Sequence, residues 1–450
     1  METWIRLWRY LLLIMTAIVS TTAAMTEAQT LAPAPQFLTL ADLERRALAS
    51  NPTVAQVEAI ARAVGGRQRQ VGLYPNPIIG YAGEEITARD PGRGKHFVWV
   101  QQSIITAGKR GLVQRAVEQE AVHAAAEKEM QRHRVVNAVR MGFYEVLGAA
   151  RLVEIRRDLA RLAREAVDVS EDLFNVGQAD RPDVLEVAIE ADRTEIDLDR
   201  AENNLARAWQ DLAAIIGEPD LGYTPLAGDL EAELPAVDEV AVREQILRES
   251  PELRIARARV EHSKASLARA RADRIPNFFI RGGAGYNFDR TEAGRDVGTE
   301  FRLEVGVPLP IFDRNQGTIV QAEAQQRLAE AELRRMELSL RSRLAGALRN
   351  YRDARRTVER YQQSVLRSAQ QSYQLYSARA QEMAAAYPQV MIARRTLGQV
   401  RAEYVRAFVE ARHAAVLLEG FLLTGGLEAP EAIPGEPNVT IEAVPFTGTP

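Results

Sequence analysis

Residues 277–288 read NFFIRGGAGYNF, and residues 299–309 read TEFRLEVGVPL. In the first tract Phe278, Ile280, Ala284, Tyr286 and Phe288 alternate with Asn277, Arg281, Gly283, Gly285 and Asn287. In the second, Phe301, Leu303, Val305 and Val307 alternate with Arg302, Glu304 and Gly306. Successive side chains of a strand point to opposite faces, so each tract predicts a strand with one apolar and one polar face. The polar stretch from Asp289 to Gly298 joins the two as a hairpin. A less regular pair lies near 76–86 and 95–105, joined by Thr87 to Lys95, with Phe97 and Trp99 on a common face. Such strands, apolar outside and polar inside, fit a transmembrane β-barrel. The alternative is a soluble hairpin packed on helices. Four strands cannot close a membrane barrel, and open sheet edges are not tolerated in hydrocarbon. Several copies must therefore share one barrel: two would supply eight strands and three would supply twelve.

Around these hairpins the chain repeats itself. Asn51-Pro52 is echoed by Ser250-Pro251, and Tyr74-Pro75-Asn76-Pro77 by Ile275-Pro276-Asn277-Phe278, each about 200 positions later. Gly80-Tyr81 is matched by Gly285-Tyr286. Gly108-Lys109-Arg110-Gly111 and Asp313-Arg314-Asn315-Gln316-Gly317 each open a long tract without proline. The spacing predicts two repeats, 37–217 and 236–425, separated by a Gly/Pro-rich linker at 218–235. Each repeat reads short helix, helix, two strands, long helix, turn, helix. The tract 108–174 would extend about 100 Å as one helix. Its return helix carries a seam of Val184, Val187, Ala191, Thr194, Leu198, Ala201, Leu205, Ala208, Leu212 and Ile215. The second repeat has Leu397, Val400, Tyr404, Ala407, Ala411, Ala414 and Leu418. Spacings of three and four make these coiled-coil stripes. The helical hairpin tips fall near 175–183 and 379–388.

The 450 residues include no cysteine, which excludes disulfides, thiolate metal sites, a thiol nucleophile and lipid attachment through an N-terminal Cys. A net charge of −4 gives no general attraction to nucleic acid. Residues 1–28 read as a secretory signal peptide, with Arg6 and Arg9 before the apolar run Leu11 to Val19 and small residues ahead of cleavage after Ala24 or Ala28. The run is too short to span a membrane as a helix. Residues 427–450, rich in Pro and Glu, read as a flexible tail. No P-loop, HExxH or GxSxG motif is present, and Gly282-Gly283-Ala284-Gly285 sits inside a strand pattern. The five histidines, 96, 123, 133, 262 and 413, form no ligand pair at helical spacing. Met383 and Met391 are too few for a copper relay. No enzyme, cofactor or metal site is expected.

The duplicated plan resembles the TolC-type outer-membrane efflux channels. The tracts Tyr74-Pro75-Asn76-Pro77, Gly108-Lys109-Arg110-Gly111 and Val307-Pro308-Leu309-Pro310-Ile311-Phe312-Asp313-Arg314-Asn315-Gln316-Gly317 make it most similar to outer-membrane components of heavy-metal efflux systems of the cobalt–zinc–cadmium type. The resemblance implies a mainly α protein with membrane β. Its helix–β-hairpin–long-helical-hairpin protomer would form a homotrimer, with a 12-stranded β-barrel in outer-membrane lipid continued by a periplasmic α-helical barrel. It also implies a passive export duct for heavy-metal cations in the outer membrane of a Gram-negative bacterium. The partners would be a periplasmic adaptor and an inner-membrane pump of the resistance-nodulation-division type. A multidrug or other small-molecule duct, and a periplasmic coiled-coil adaptor, are the alternative readings. Lipid-facing positions would be Phe97, Trp99, Phe278, Ile280, Tyr286, Phe301, Leu303 and Val305.

The resemblance also assigns the first tip. Phe174, Val176 and Gly177 match the element that meets the adaptor, and Asp183 and Glu186 match the carboxylates that narrow the periplasmic end. Residue chemistry offers structural readings beside these. Gly177 suits a helix C-cap, and Asp180, Pro182 and Asp183 suit a helix start. In the second repeat Tyr376-Ser377-Ala378-Arg379 lacks the Gly. Tyr387-Pro388-Gln389-Val390-Met391 has no carboxylate, and the nearest is Glu382.

Overall fold

The computed structural model describes residues 37–86, 93–290, 292, 294–382 and 387–431. The expected signal peptide at 1–28, most of the 427–450 tail and Met383 lie outside the described residues. The chain begins with a two-residue strand β1 (Leu38–Thr39), then α1 (Leu40–Ser50), α2 (Pro52–Val71), β2 (Ile78–Glu84) and β3 (Lys95–Ile104). Two rods follow, α3 (Lys109–Asn175) and α4 (Arg181–Ile216). After β4 (Leu226–Ala227) the second half gives α5 (Glu239–Glu249), α6 (Pro251–Ala272), β5 (Phe278–Arg290), β6 (Asp296–Gly306), α7 (Gln316–Arg360), α8 (Leu366–Glu382) and α9 (Tyr387–Glu419).

Local chemistry sets the helix starts. Thr39 and Asp42 exchange hydrogen bonds at the head of α1, with the Asp42 N–H donating to Thr39 Oγ1 at 3.2 Å. Asn51 caps α2 by accepting from the Thr53 N–H at 2.8 Å, and Pro52 takes the first helical position, where its missing N–H costs nothing. The α3 rod runs unbroken for 67 residues. The counterpart rod of the second half is also helical throughout, as its proline-free tract predicts, but its register changes once. Tyr361–Val365 form a π-helical segment between α7 and α8. Side chains at the insertion grip α9: Tyr361 donates to Glu403 at 3.0 Å, and Gln362 donates to the Tyr404 hydroxyl at 3.0 Å. A π segment inserts a residue into the helical register, and these bonds fix where it falls.

α4 packs along α3, and α9 packs on both α3 and α7. Val184, Ala191, Ala208 and Leu212 of the first seam are buried, as are Leu397, Val400, Tyr404, Ala407, Ala411 and Leu418 of the second. Small seam residues let the rods approach closely, so the core is a long strip rather than a central ball. The segment between the halves is folded against the rods. Leu38 pairs with Leu226 in a short parallel ladder, and Leu230 is buried. The Arg412 guanidinium donates to the carbonyls of Leu230, Ala232 and Glu233, and the Trp209 indole N–H donates to Leu221 O at 2.8 Å.

The start of the C-terminal segment is also tied down. Asn137 Nδ2 donates to the carbonyls of Gly420 and Leu423, and Gln131 Nε2 to that of Glu428. The Glu431 N–H reaches Glu127 Oε1 at 3.2 Å, and its carboxylate meets Arg259 at 2.8 Å. This contact places Glu127 in the interior, where burial pushes its carboxyl above the ordinary value. Burial, helped by Arg259, lowers His123 to about 4. The signs are opposite. Stability associated with Glu127 is present below the unfolded carboxyl pKa and lost as pH rises through the folded one. Stability associated with His123 is present above about 6.5 and lost as pH falls toward about 4. Glu127→Gln keeps an acceptor for the Glu431 N–H and removes the buried charge. It should raise stability at pH 7.5, with the gain shrinking toward pH 4. Thermal or urea unfolding across that range measures it; a loss of stability at neutral pH would show that the charge is needed.

Candidate functional site

The four long strands form one antiparallel sheet in the order β2-β3-β5-β6, so the two halves meet at the β3–β5 seam. That seam is reinforced below the strands. Thr106 Oγ1 donates to Pro276 O at 2.7 Å, and the Thr106 N–H and Lys109 Nζ both donate to Asn277 Oδ1. The outer edges of β2 and β6 have no strand partner among the described residues.

Residues paired across antiparallel strands share a face. Val98 pairs with Tyr81 and Ala284, and Ala284 with Phe301. Val100 pairs with Ile79 and Gly282, and Gly282 with Leu303. Ile280 pairs with Val305. One face is therefore Ile79, Tyr81, Val98, Val100, Phe278, Ile280, Tyr286, Phe301, Leu303 and Val305. Phe301 and Leu303 are 85% and 75% exposed, a contiguous apolar surface facing outward.

The opposite face carries charge, and it also carries Phe97 and Trp99. Their expected place on the apolar face is corrected by the register: Phe97 opposes Gly285, and Trp99 opposes Gly80 and Gly283. Phe97 is only 3% exposed. Arginine planes cover both rings, Arg302 lying 4.5 Å above Phe97 and Arg281 4.6 Å above Trp99. Arg281 also pairs with Glu304 at 3.0 Å and donates to Gln101 Oε1. The outward residues of β3 are Val98 and Val100. Both faces of β3 are apolar by residue type, and only the glycine partners decide which way it turns. A Cβ at Gly285 would lie 2.3 Å from the His96 carbonyl, whereas one at Gly282 would meet nothing within 4 Å.

Arg302 on β6 also pairs with Glu84 on β2. A flat sheet would set these strands three spacings, about 14 Å, apart, with a four-residue offset along them as well. The side chains meet only because the sheet curls, with the charged face on the inside.

At the far end of the rods, α3 stops at Asn175 and the chain reverses to α4. Gly177 sits at φ +74°, and the Gln178 N–H returns to Leu173 O at 2.8 Å, closing the helix end. Phe174 and Val176 are exposed beside it, and Arg181 lies over the Phe174 ring at 5.9 Å. Asp183 is exposed, and its Oδ2 accepts from the Asp180 N–H at 3.3 Å, so it holds the helix start. Glu186 lies one turn on, also exposed.

The same stripe continues to Glu190 and Asp197, which the sequence reading did not single out. Glu190 lies 3.8 Å from Arg193 and 3.9 Å from Arg395 of α9, and Asp197 lies 3.1 Å from Arg156. The i, i+3, i+7 spacing from Asp183 was the available signal. On α9, Arg394 donates to Leu162 O at 3.0 Å. The second hairpin thus meets the first with arginines where it lacks carboxylates. Residues 383–386 of the second tip are outside the described residues. Among the described residues no helix is long and apolar enough to cross a membrane, and no group of three or more His, Asp or Glu is placed to hold a metal.

Comparison with known proteins adds to this geometry. A sequence model described as outer membrane efflux protein matches residues 43–218 and 242–422. The cobalt-zinc-cadmium resistance protein CzcC of Cupriavidus metallidurans is 27% identical over 280 residues, spanning 62% of this chain and 65% of that relative. The outer-membrane channel OprN has the same fold at 17% identity, with TM-score 0.72 over 86% of this chain and 91% of its own. CusC, described in terms of transmembrane channel formation, gives TM-score 0.72 at 18% identity over 86% and 92%. VceC of Vibrio cholerae gives 0.68 at 19% identity over 86% and 97%.

The face assignment makes a paired prediction. Gly285→Val should prevent β3–β5 pairing and leave little folded protein, while Gly282→Val should fold normally. Circular dichroism and the yield of folded protein distinguish them, and equal behaviour of the two variants would refute the assignment.

Proposed function

Because this chain belongs to the outer membrane efflux protein family, we propose that it is the outer-membrane duct of a tripartite efflux system, carrying heavy-metal cations passively across the periplasm and out of a Gram-negative cell. It is a transport component and not an enzyme. The observation that carries the reading is the sheet. It is curled, apolar outside and charged inside, has two edges unpaired among the described residues, and stands on rods too long for a compact domain.

In hydrocarbon each free edge needs a partner. Joining β6 of one copy to β2 of the next satisfies both, and three copies make a twelve-stranded barrel. The outward residues Phe278, Ile280, Tyr286, Phe301, Leu303 and Val305, together with Val98 and Val100, then meet lipid. The rods form the periplasmic tunnel. Phe174, Val176 and Gly177 meet a periplasmic adaptor, which joins the duct to an inner-membrane pump of the resistance-nodulation-division type. Three copies of Asp183 and Glu186 ring the narrow end and favour cations. Support for metal as cargo comes from the name of the 27% identical relative, a cobalt-zinc-cadmium resistance protein. The duct itself contributes no energy to transport.

Fractionation tests the placement. Recovery as an outer-membrane trimer is expected, and recovery in the soluble periplasm would instead indicate an adaptor. Deletion should sensitise cells to zinc, cobalt or cadmium. Sensitivity confined to organic drugs would replace metal with drug as the cargo.

Two variants separate function from capping at the tip. Asp183→Asn with Glu186→Gln keeps a cap acceptor and removes the charges, and it should lower cation selectivity in bilayers. Unchanged selectivity and conductance would rule out the ring. Gly177→Trp should abolish efflux while trimers still form, whereas Gly177→Asn, which tolerates the left-handed conformation, should retain it. Normal efflux by the Trp variant would rule out the docking role.

A further inference from the structure

The apolar surface does not end with the strands. After Gly306 the chain runs Val307-Pro308-Leu309-Pro310-Ile311-Phe312 before α7 begins. Leu309 and Phe312 are 73% and 90% exposed, and Val307 and Ile311 are also open. Val307 continues the parity of Val305, so the strap extends the outward face of β6. Its two prolines cannot donate to a ladder, which suits a stretch leaving the sheet. Two other strand–helix junctions at this level expose Tyr74 and Ile275.

The turn that ends the strap is closed by its own hydrogen bonds. The Asn315 N–H donates to Asp313 Oδ1 at 2.8 Å, the Arg314 N–H to Gln316 Oε1 at 2.8 Å, and Gln316 Nε2 to Phe312 O at 3.3 Å. Asn315 Nδ2 anchors the turn to Ala270 O at 2.7 Å. A turn braced in this way keeps Phe312, the most exposed aromatic ring among the described residues, in solvent, a costly arrangement unless something apolar covers it. Cationic groups accompany it: Arg314 and Arg274 are exposed, and Arg110 lies 3.6 Å over the Tyr74 ring. Aromatic rings beside arginines, bordering an apolar band, match the chemistry of a membrane–water interface.

We propose that the strap Val307–Phe312 is an interfacial anchor. It lies in the periplasm-facing leaflet with Ile311 and Phe312 among the upper acyl carbons, and Arg314 and Arg274 bind the phosphates of anionic phospholipid. The proposal rests on the reading that the outward face of the sheet meets lipid. Its occupant is lipid because the strap is continuous with that face, and because the exposed Arg314 and Arg274 outnumber the one exposed carboxylate of the turn, Asp313, whose Oδ1 accepts from the Asn315 N–H.

The test uses the full chain in nanodiscs containing lipids brominated at shallow or deep acyl positions, with the signal of the parent protein subtracted. Phe312→Trp reports on the strap, Leu303→Trp on the sheet and Leu328→Trp on the rod. Shallow bromines should quench the probe at 312, deep bromines the probe at 303, and neither the probe at 328. Brominated phosphatidylglycerol should compete for the strap about fivefold better than phosphatidylcholine, and Arg314→Glu should abolish that preference. Quenching at 303 but not at 312 would overturn the anchor and leave the lipid-facing sheet standing; a blue-shifted, unquenched signal at 312 would identify a second copy as the cover. Absence of quenching at both would overturn the lipid-facing sheet, and the anchor with it. A preference unaffected by Arg314→Glu would overturn the headgroup contact.

Discussion

Backbone hydrogen bonding on the sheet is the constraint from which the rest of the molecule follows. Each strand carries donors and acceptors along both edges, and in an apolar medium an unmet one costs several kcal/mol. Within the chain, β3 and β5 satisfy one another along ten paired residues. That seam is locked at its base by Thr106, Lys109 and Asn277. Among the described residues β2 and β6 have only their inner edges paired. A single chain is thus a third of a solution to its own bonding problem in the trimeric reading. The long rods place the rest of the molecule beneath that shared structure.

Much of this was legible in residue order. Period-two alternation separates the two faces of 299–307, where polar or small residues occupy every second place, and most of 277–288, where only Phe279 falls among the polar set. Proline and cap residues located the ends of α1, α2 and α4. β3 was harder. Phe97-Val98-Trp99-Val100 is apolar on both sides, and size suggests that the aromatics face lipid. Part of the deciding information is near, in Gly80 opposite Trp99, but most sits about 180 to 200 residues away, where Gly285 and Gly283 leave room for the rings and Arg302 and Arg281 cover them. No local pattern contains that pairing. The segment between the halves was legible as a break in helix, but its folded state depends on Arg412 and Trp209, which belong to distant helices.

The first tip shows a different limit. Asp183 closes the start of α4, and in the proposed function it also contributes a carboxylate to a pore ring. One residue type serves both purposes, so composition cannot divide them. Glu190 and Asp197 extend the same stripe, yet their meaning came only from Arg395 and Arg156 lying opposite. Arg156 comes from α3 of the same hairpin and Arg395 from the second, so at Glu190 the second hairpin answers a carboxylate with a guanidinium.

The π-helical segment at Tyr361–Val365 separates the halves further. In the vocabulary of solids it is a dislocation in one of two otherwise similar beams. It advances the screw of the helix by one residue, so the stripe that α8 turns toward α9 is not the one that counting from α7 would give.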